Sequence, residues 1–123
     1  MNRPPTILCI DDEELGLLVR KAVLERAGYH VLTAAEGQQG LELFDNNSID
    51  GVVLDYSMPG MNGMEIARIM RNRKPHVPIL LHSAYVGLPP EAIALASHTL
   101  TKGSGPADLL RSVEQLVGHG GKH

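Results

Sequence analysis

The sequence alternates short apolar runs with helix-like segments about five times, and this alternation constrains the fold more than any other feature. The apolar runs have strand length and little polar alternation, which is typical of parallel strands buried on both faces. They are Thr6–Ile10, His30–Ala34, Gly51–Leu54, Ile79–His82 and His98–Thr101. Because helices between such strands must cover the sheet, the pattern predicts an α/β fold with a five-stranded parallel sheet and helices on both faces.

The segment after the first strand has apolar residues at i, i+3, i+4 and i+7 and a glycine at the C-cap position: Leu15, Leu18, Val19, Ala22 and Gly28. This spacing predicts an amphipathic helix that packs on the sheet through those four apolar residues. Further helices are predicted at Gly37–Asn46, Gly63–Asn72, Pro90–Ala96 and Pro106–Val117. Gly40 is expected to weaken the second helix by about 1 kcal/mol relative to alanine.

The chain has the size and charge of one ordinary globular domain. Its 123 residues predict a single domain over residues 1–118, followed by a Gly-rich, disordered tail at 119–123. A net charge of −3 with scattered Lys and Arg argues against direct binding to nucleic acid. No long apolar stretch or signal-peptide pattern is present, so we expect a cytoplasmic protein without a membrane segment. Cys9 lies in an apolar run and is interpreted as a small buried hydrophobe.

Four of the predicted strands are followed or ended by side chains that carry chemistry. Asp11 and Asp12 follow the first strand, and Asp55, Ser83 and Lys102 stand at the ends of the third, fourth and fifth. The carboxyl ends of parallel strands share one rim of a sheet, so these groups should meet there. Crowded carboxylates resist ionising together unless a cation is near, and hard oxygen ligands suit Mg²⁺. A solvated turn in which Asp11 or Asp12 caps the first helix is the alternative for the acidic pair alone. Asp55, at a second strand end, favours a site.

The segment VVLDYSMPGMNG, residues 52–63, resembles the phosphoacceptor motif of bacterial response regulator receiver domains, in which Asp is followed by x-x-Met-Pro-x-Met-x-Gly. The matching residues are Asp55, Met58, Pro59, Met61 and Gly63. The family's other positions follow in order as Asp11, Asp12, Ser83 before a small residue, and Lys102. The resemblance extends from about Thr6 to Val117. It implies a chemotaxis-type receiver with a flavodoxin-like, doubly wound sheet of strand order 2-1-3-4-5.

The resemblance also implies a role for each matching residue. Asp55 would accept a phosphoryl group from a sensor histidine kinase or a phosphotransfer protein. Mg²⁺ would be held by Asp12, by Asp11 largely through water, by Asp55 and by the backbone carbonyl of Ser57. Lys102 would pair with a phosphoryl oxygen, and the Ser83 hydroxyl would donate a hydrogen bond to another.

The expected output of such a domain is a contact with another protein. The family's usual surface for a downstream partner is the fourth helix, fifth strand and fifth helix, and a homodimer formed on phosphorylation is a further option. We expect no enzyme activity beyond self-phosphorylation and self-dephosphorylation. A phosphorylation-independent interaction module, or pseudo-receiver, is the main alternative. A Mg²⁺-dependent phosphatase is disfavoured because Ser57 stands where such enzymes typically need a second Asp.

The chain departs from the family pattern at two positions. Gly103 replaces the proline that usually follows the lysine, which predicts a trans peptide bond and a turn adapted to glycine. Thr99 replaces the aromatic residue whose ring usually moves on phosphorylation, so a weaker switch is expected. Tyr85 and Ser57 occupy positions that tune phosphate lifetime in the family. His82 points away from Ser83 along the strand, which favours a packing or surface role.

Overall fold

Strands and helices alternate along the whole described chain. The structure, a computed structural model, describes residues 3–58, 60–84 and 87–118. Its elements are β1 (Thr6–Ile10), α1 (Glu14–Arg26), β2 (His30–Ala34), α2 (Gly37–Asn46), β3 (Gly51–Asp55), α3 (Gly63–Arg73), β4 (Ile79–Ser83), α4 (Pro90–Leu95), β5 (His98–Thr101) and α5 (Pro106–Leu116). The strands form one parallel sheet in the order β2-β1-β3-β4-β5, so the predicted fold class and strand order are confirmed. The predicted tail, Pro59 and Tyr85 lie outside the described residues.

The sheet has a separate apolar layer on each face. Because side chains alternate along a strand, Ile7 and Cys9 of β1 face one layer while Leu8 and Ile10 face the other. The first layer is completed by buried residues of α1 and α5: Leu17, Leu24, Leu109, Val113 and Leu116. The second is completed by α2, α3 and α4: Leu41, Phe44, Ile66, Ala67, Met70 and Ala92. Burial also raises the pKa of the Cys9 thiol to about 12, which confirms its interpretation as an unreactive core residue.

α1 packs on the sheet through a different face from the predicted one. Leu15, Leu18 and Val19 are 74%, 64% and 54% exposed, and Ala22 is exposed as well. The helix instead buries Leu17 and Leu24, seven residues apart. Both faces satisfy helical spacing, so the periodicity did not fix the phase of the helix. The buried face includes Arg20 at i+3 from Leu17, and this charge made that face the less apolar one in the sequence.

Two helices approach the sheet closely because they lack a side chain at the contact. A Cβ at Gly40 would collide with Ile10, so this glycine lets α2 lie against β1 in spite of its cost to helix propensity. A Cβ at Gly63 would lie 2.5 Å from the backbone oxygen of Asp55. The start of α3 therefore packs directly on the end of β3. Among the described residues, no helix combines the length and apolar character needed to cross a membrane.

The two faces of α1 should respond differently to the same substitution. Leu24→Ala leaves a cavity in a fully buried layer and is expected to lower the free energy of unfolding by about 3 kcal/mol. Leu18→Ala on the same helix should change it by less than about 0.5 kcal/mol. Urea denaturation followed by circular dichroism measures both. A larger loss for Leu18→Ala than for Leu24→Ala would restore the face predicted from the sequence.

Candidate functional site

Three carboxylates meet at one end of the sheet, as their positions in the sequence predict. β1 and β3 are neighbours in register, with Ile10 opposite Leu54, so the residues that follow lie side by side. Asp11, Asp12 and Asp55 each contribute one carboxylate oxygen, and these three oxygens lie within 4.8 Å of one another. Asp11 and Asp55 are buried, whereas Asp12 is exposed. The arrangement combines two acids in the interior with one at the solvent edge.

Lys102 joins these acids from the end of β5. Its Nζ lies 3.1 Å from Oδ2 of Asp11 and 3.2 Å from Oδ1 of Asp55. Its backbone N–H donates to the carbonyl of Ser83 at 2.6 Å, which ties the lysine to the end of β4. Gly103 follows with a φ of +96° and a trans peptide bond, which confirms the glycine-adapted turn. The loss of the usual proline therefore does not remove the lysine from the acids.

Arg20 is a member of the cluster that the strand-end pattern did not predict. Its Nη2 donates to Oδ2 of Asp11 at 2.5 Å, and its side chain is largely buried. Long side chains on a helix point back towards its N-terminus, so a residue on the inner face of α1 reaches the end of β1. That direction, together with the position of Arg20 three residues after Leu17, could have predicted from the sequence that Arg20 reaches the acidic cluster. Neither Asp11 nor Asp12 caps α1, since Glu13 is its N-cap and makes no side-chain cap.

Asp55 is buried and only partly satisfied. Its Oδ1 accepts the Ser57 backbone N–H at 3.3 Å, while Oδ2 accepts no hydrogen bond from any described residue. Burial, followed by the negative charge of Asp11, raises the pKa of the Asp55 carboxyl, and Lys102 opposes this rise. Burial also opposes ionisation of Asp11, but the Glu13 backbone N–H, Lys102 and Arg20 together lower the pKa of that carboxyl. The two buried acids are therefore held in different electrostatic environments.

Two predicted site residues remain, Ser83 at the end of β4 and Ser57 just after β3. The last residue of β4, Ser83, is buried, and its neighbour His82 is paired with Asp55 across the sheet. Ser57 is exposed, with its backbone amide directed at Asp55. Carboxylates are hard oxygen ligands, and Asp55, whose Oδ2 accepts no hydrogen bond from a described residue, belongs to the same cluster as Asp11 and Asp12. This donor set fits a divalent cation such as Mg²⁺.

His82 borders the cluster on the side of α1 and α5. It is 7% exposed, so it packs in the interior, and its Nδ1 has no hydrogen-bond partner among the described residues. It lines a cleft of about 310 Å³ together with Arg20, Val23, Lys102 and Leu109. Burial, with the nearby charges of Arg20 and Lys102, lowers the pKa of His82 to about 4. The imidazole is therefore neutral at pH 7.

The sequence profile of the family described as the response regulator receiver domain matches residues 7–114. The chain belongs to this family. Receiver domains are parts of two-component systems, so the resemblance read from the strand-end motifs is confirmed.

Curated relatives are longer proteins that contain a similar segment. The alkaline phosphatase synthesis transcriptional regulatory protein PhoP of Bacillus subtilis is 37% identical over 78 residues, which cover 63% of this chain and 32% of PhoP. The autoinducer 1 sensor kinase/phosphatase LuxN of Vibrio harveyi is 31% identical over 86 residues, which cover 70% of this chain and 10% of LuxN. The chain thus spans a third or less of these relatives.

Solved receiver structures match nearly the full chain. The response regulator TrrA of Thermotoga maritima, solved in complex with Mg²⁺ and BeF, is 31% identical with a TM-score of 0.86, covering 91% of this chain and 98% of TrrA. The chemotaxis response regulator CheY4 of Vibrio cholerae is 27% identical with a TM-score of 0.87, covering 92% of this chain and 98% of CheY4. Both share the architecture described above.

The buried His82 predicts a pH dependence of stability. Its pKa is about 4 in the folded protein against 6.5 for an ordinary histidine, so the unfolded chain binds the proton more tightly. Stability is therefore unaffected by His82 above about pH 6.5 and falls as the pH drops towards 4, by up to about 3 kcal/mol. His82→Leu should remove this loss, so the difference in unfolding free energy between variant and wild type should grow over that range.

Urea denaturation at several pH values measures this difference. His76→Gln, at an exposed position in the loop before β4, is the matched control and should track the wild type. A difference between His82→Leu and wild type that stays constant from pH 7 to pH 4 would contradict the assignment.

Proposed function

We propose that this receiver domain is a phosphoacceptor switch in which Asp55 takes a phosphoryl group from a phosphohistidine of a sensor kinase or phosphotransfer protein. The observation that carries the proposal is the state of Asp55. Its carboxylate is buried beside Lys102 and two further acids, and its Oδ2 accepts no hydrogen bond from the described residues. An interior carboxylate with an open oxygen is suited to act as a nucleophile.

In the proposed reaction, a carboxylate oxygen of Asp55 attacks phosphorus as the P–N bond of the phosphohistidine breaks. The electron pair of that bond leaves with the imidazole, which takes up a proton, and an acyl phosphate forms on Asp55. The transition state is loose, so catalysis depends on positioning and on stabilising charge. Lys102 is already 3.2 Å from Oδ1 of Asp55 and would pair with a phosphoryl oxygen. Ser83, at the adjacent strand end, would donate its hydroxyl to another.

A Mg²⁺ ion held by Asp11, Asp12, Asp55 and the Ser57 backbone carbonyl would neutralise part of the phosphoryl charge. Asp12 is exposed and makes no hydrogen bond or ion pair with the described residues that competes for its oxygens, so it is the readiest inner ligand. Asp11 is engaged by Lys102, Arg20 and the Glu13 amide, which suits a role through water. The proposal thus assigns the three acids unequal tasks.

Two surfaces are proposed for protein partners. The exposed Leu15, Leu18 and Val19 of α1 continue directly from the acidic rim, since α1 begins three residues after Asp11. We assign this face to the phosphodonor protein, whose phosphohistidine must reach Asp55. The face formed by α4, β5 and α5 would contact the downstream target, and its exposed Ile93 supplies apolar area there. A homodimer formed on phosphorylation would use the same face.

The pseudo-receiver is the second candidate. Of the two departures, Thr99 favours it, whereas Lys102 contacts the acids in spite of Gly103. Thr99 is exposed on β5 and supplies no ring to transmit a change at the site. The complete set of acids with Lys102 in contact favours the phosphoacceptor instead. Phosphorylation chemistry discriminates the two candidates.

Incubation with acetyl phosphate and Mg²⁺ should add one phosphoryl group to the wild-type chain, because a small phosphodonor needs only the site itself. Intact-mass measurement detects the adduct, which should be labile at alkaline pH as an acyl phosphate is. Asp55→Asn should prevent the addition. Asp45→Asn, which removes a surface acid paired with Arg73, is the matched control and should be labelled like the wild type.

An unmodified wild-type mass under conditions that label a known receiver would contradict the phosphoacceptor proposal and favour the pseudo-receiver. Equal labelling of Asp55→Asn and wild type would place the phosphoryl group on another residue.

The response to phosphorylation should be concentrated near the site. Beryllofluoride with Mg²⁺ mimics the phosphoryl group, and a ligand shifts an equilibrium only by its differential interaction with the two states. Without a ring at Thr99, we expect large amide chemical-shift changes at residues 11–13, 55–57, 83–88 and 102–104, and weaker changes at 109–116. Two-dimensional ¹⁵N NMR measures them. Changes along α5 as large as those at Asp55 would show that another residue transmits the signal.

A further inference from the structure

Arg20 has no role in the chemistry proposed above, yet it is built into the acidic site. Its side chain is 12% exposed, and its guanidinium contacts Oδ2 of Asp11 at 2.5 Å. The same oxygen lies 3.1 Å from Nζ of Lys102, and the other oxygen of Asp11 accepts the Glu13 N–H at 2.9 Å. Both oxygens of Asp11 are therefore engaged by positive charge or a hydrogen-bond donor.

The chain leaves room for this guanidinium at Gly16. This glycine lies one helical turn before Arg20, where a helical side chain folds back. A Cβ at position 16 would lie 3.3 Å from Nη1 and 3.4 Å from Nη2 of Arg20. Contacts at 3.3 Å are tighter than most side chains adopt, so an alanine would press on the guanidinium. Gly16 therefore leaves free the space that the guanidinium occupies beside Asp11.

We propose that Arg20 is an internal counter-ion that competes with a divalent cation for the acidic site and lowers its metal affinity. The inference rests on the metal site of the proposed function. With Lys102 and Arg20 present, the three carboxylates leave a formal charge of −1, whereas without Arg20 it would be −2. A cation that binds here is repelled by the guanidinium and must share Asp11 with it.

This counter-ion also stabilises the metal-free state. Asp11 and Asp55 are buried near each other, and like charges in the interior repel strongly. Lys102 bridges the two acids, and Arg20 supplies the second positive charge on the Asp11 side. The site is therefore stable without metal and fills only at a higher cation concentration than three unopposed acids would require.

The affinity for Mn²⁺, measured by titrating the metal-free chain and following free Mn²⁺ by electron paramagnetic resonance, tests the proposal. Arg20→Gln should bind Mn²⁺ more tightly by roughly threefold to tenfold, the effect expected for removing one nearby positive charge. Arg20→Met is a second neutral variant and should tighten Mn²⁺ binding to the same extent. It replaces Arg20→Gln if that variant is poorly folded. Arg20→Lys keeps the charge and should stay near the wild type. Mg²⁺ competition checks that both ions share the site.

Two variants make the result specific. Lys21→Gln removes the same charge from the next residue of α1, where Lys21 pairs with Glu25 at 3.9 Å on the surface, and should leave the affinity unchanged. Asp12→Ala should abolish most binding and so locate it at the acidic cluster. Circular dichroism establishes that each variant is folded.

The other possible results of the titration contradict either the counter-ion inference or the metal site itself. If the wild type binds Mn²⁺ and the neutral variants bind it equally or more weakly, the counter-ion inference is wrong while the metal site stands. If Lys21→Gln bound Mn²⁺ more tightly to the same extent, the effect would come from the overall charge of the chain and not from the position of Arg20. The counter-ion inference would then also be wrong. Absence of binding in both the wild type and the neutral Arg20 variants would remove the metal site itself, and the inference with it.

Discussion

The carboxylate of Asp11 is the group on which the arrangement of the site depends. It is buried at the end of β1, and it bonds Arg20, Lys102 and the Glu13 amide, which come from α1, from the end of β5 and from the β1–α1 connection. A buried charge is costly unless it is paired, so these contacts stabilise the ionised Asp11 in the interior. They fix the position of Lys102, and Lys102 in turn contacts Asp55.

The same contacts explain how several acids can sit together in the interior. Burial and repulsion from Asp11 raise the pKa of Asp55, while its partners keep the pKa of Asp11 low. One acid is thus held as a fixed charge and the other is left with an open oxygen. The open oxygen suits Asp55 to the proposed phosphoacceptor role. The ionised Asp11 holds the cationic side chains of Lys102 and Arg20 in place.

The rest of the fold positions these side chains together at the carboxyl end of the sheet. The parallel order β2-β1-β3-β4-β5 puts the ends of β1 and β3 side by side at its centre, with β4 and β5 following. Gly63 allows α3 to start against the backbone of Asp55, and Gly103 turns the chain away after Lys102 with a positive φ. Where the usual proline is absent, the conformational freedom of glycine supplies the turn.

The strands, the parallel fold and the convergence of Asp11, Asp12, Asp55 and Lys102 could be predicted from the sequence, because these follow from local apolar runs and from which residue ends each strand. The phase of α1 and the presence of Arg20 at the site became apparent only from the folded chain. Helical spacing fitted the exposed Leu15 face as well as the buried Leu17 face, and a charge on the inner face argued against the correct one. Burial of Leu17 and Leu24 brings Arg20 to Asp11, where each charge makes burial of the other favourable, and apolar periodicity alone does not take such an ion pair into account.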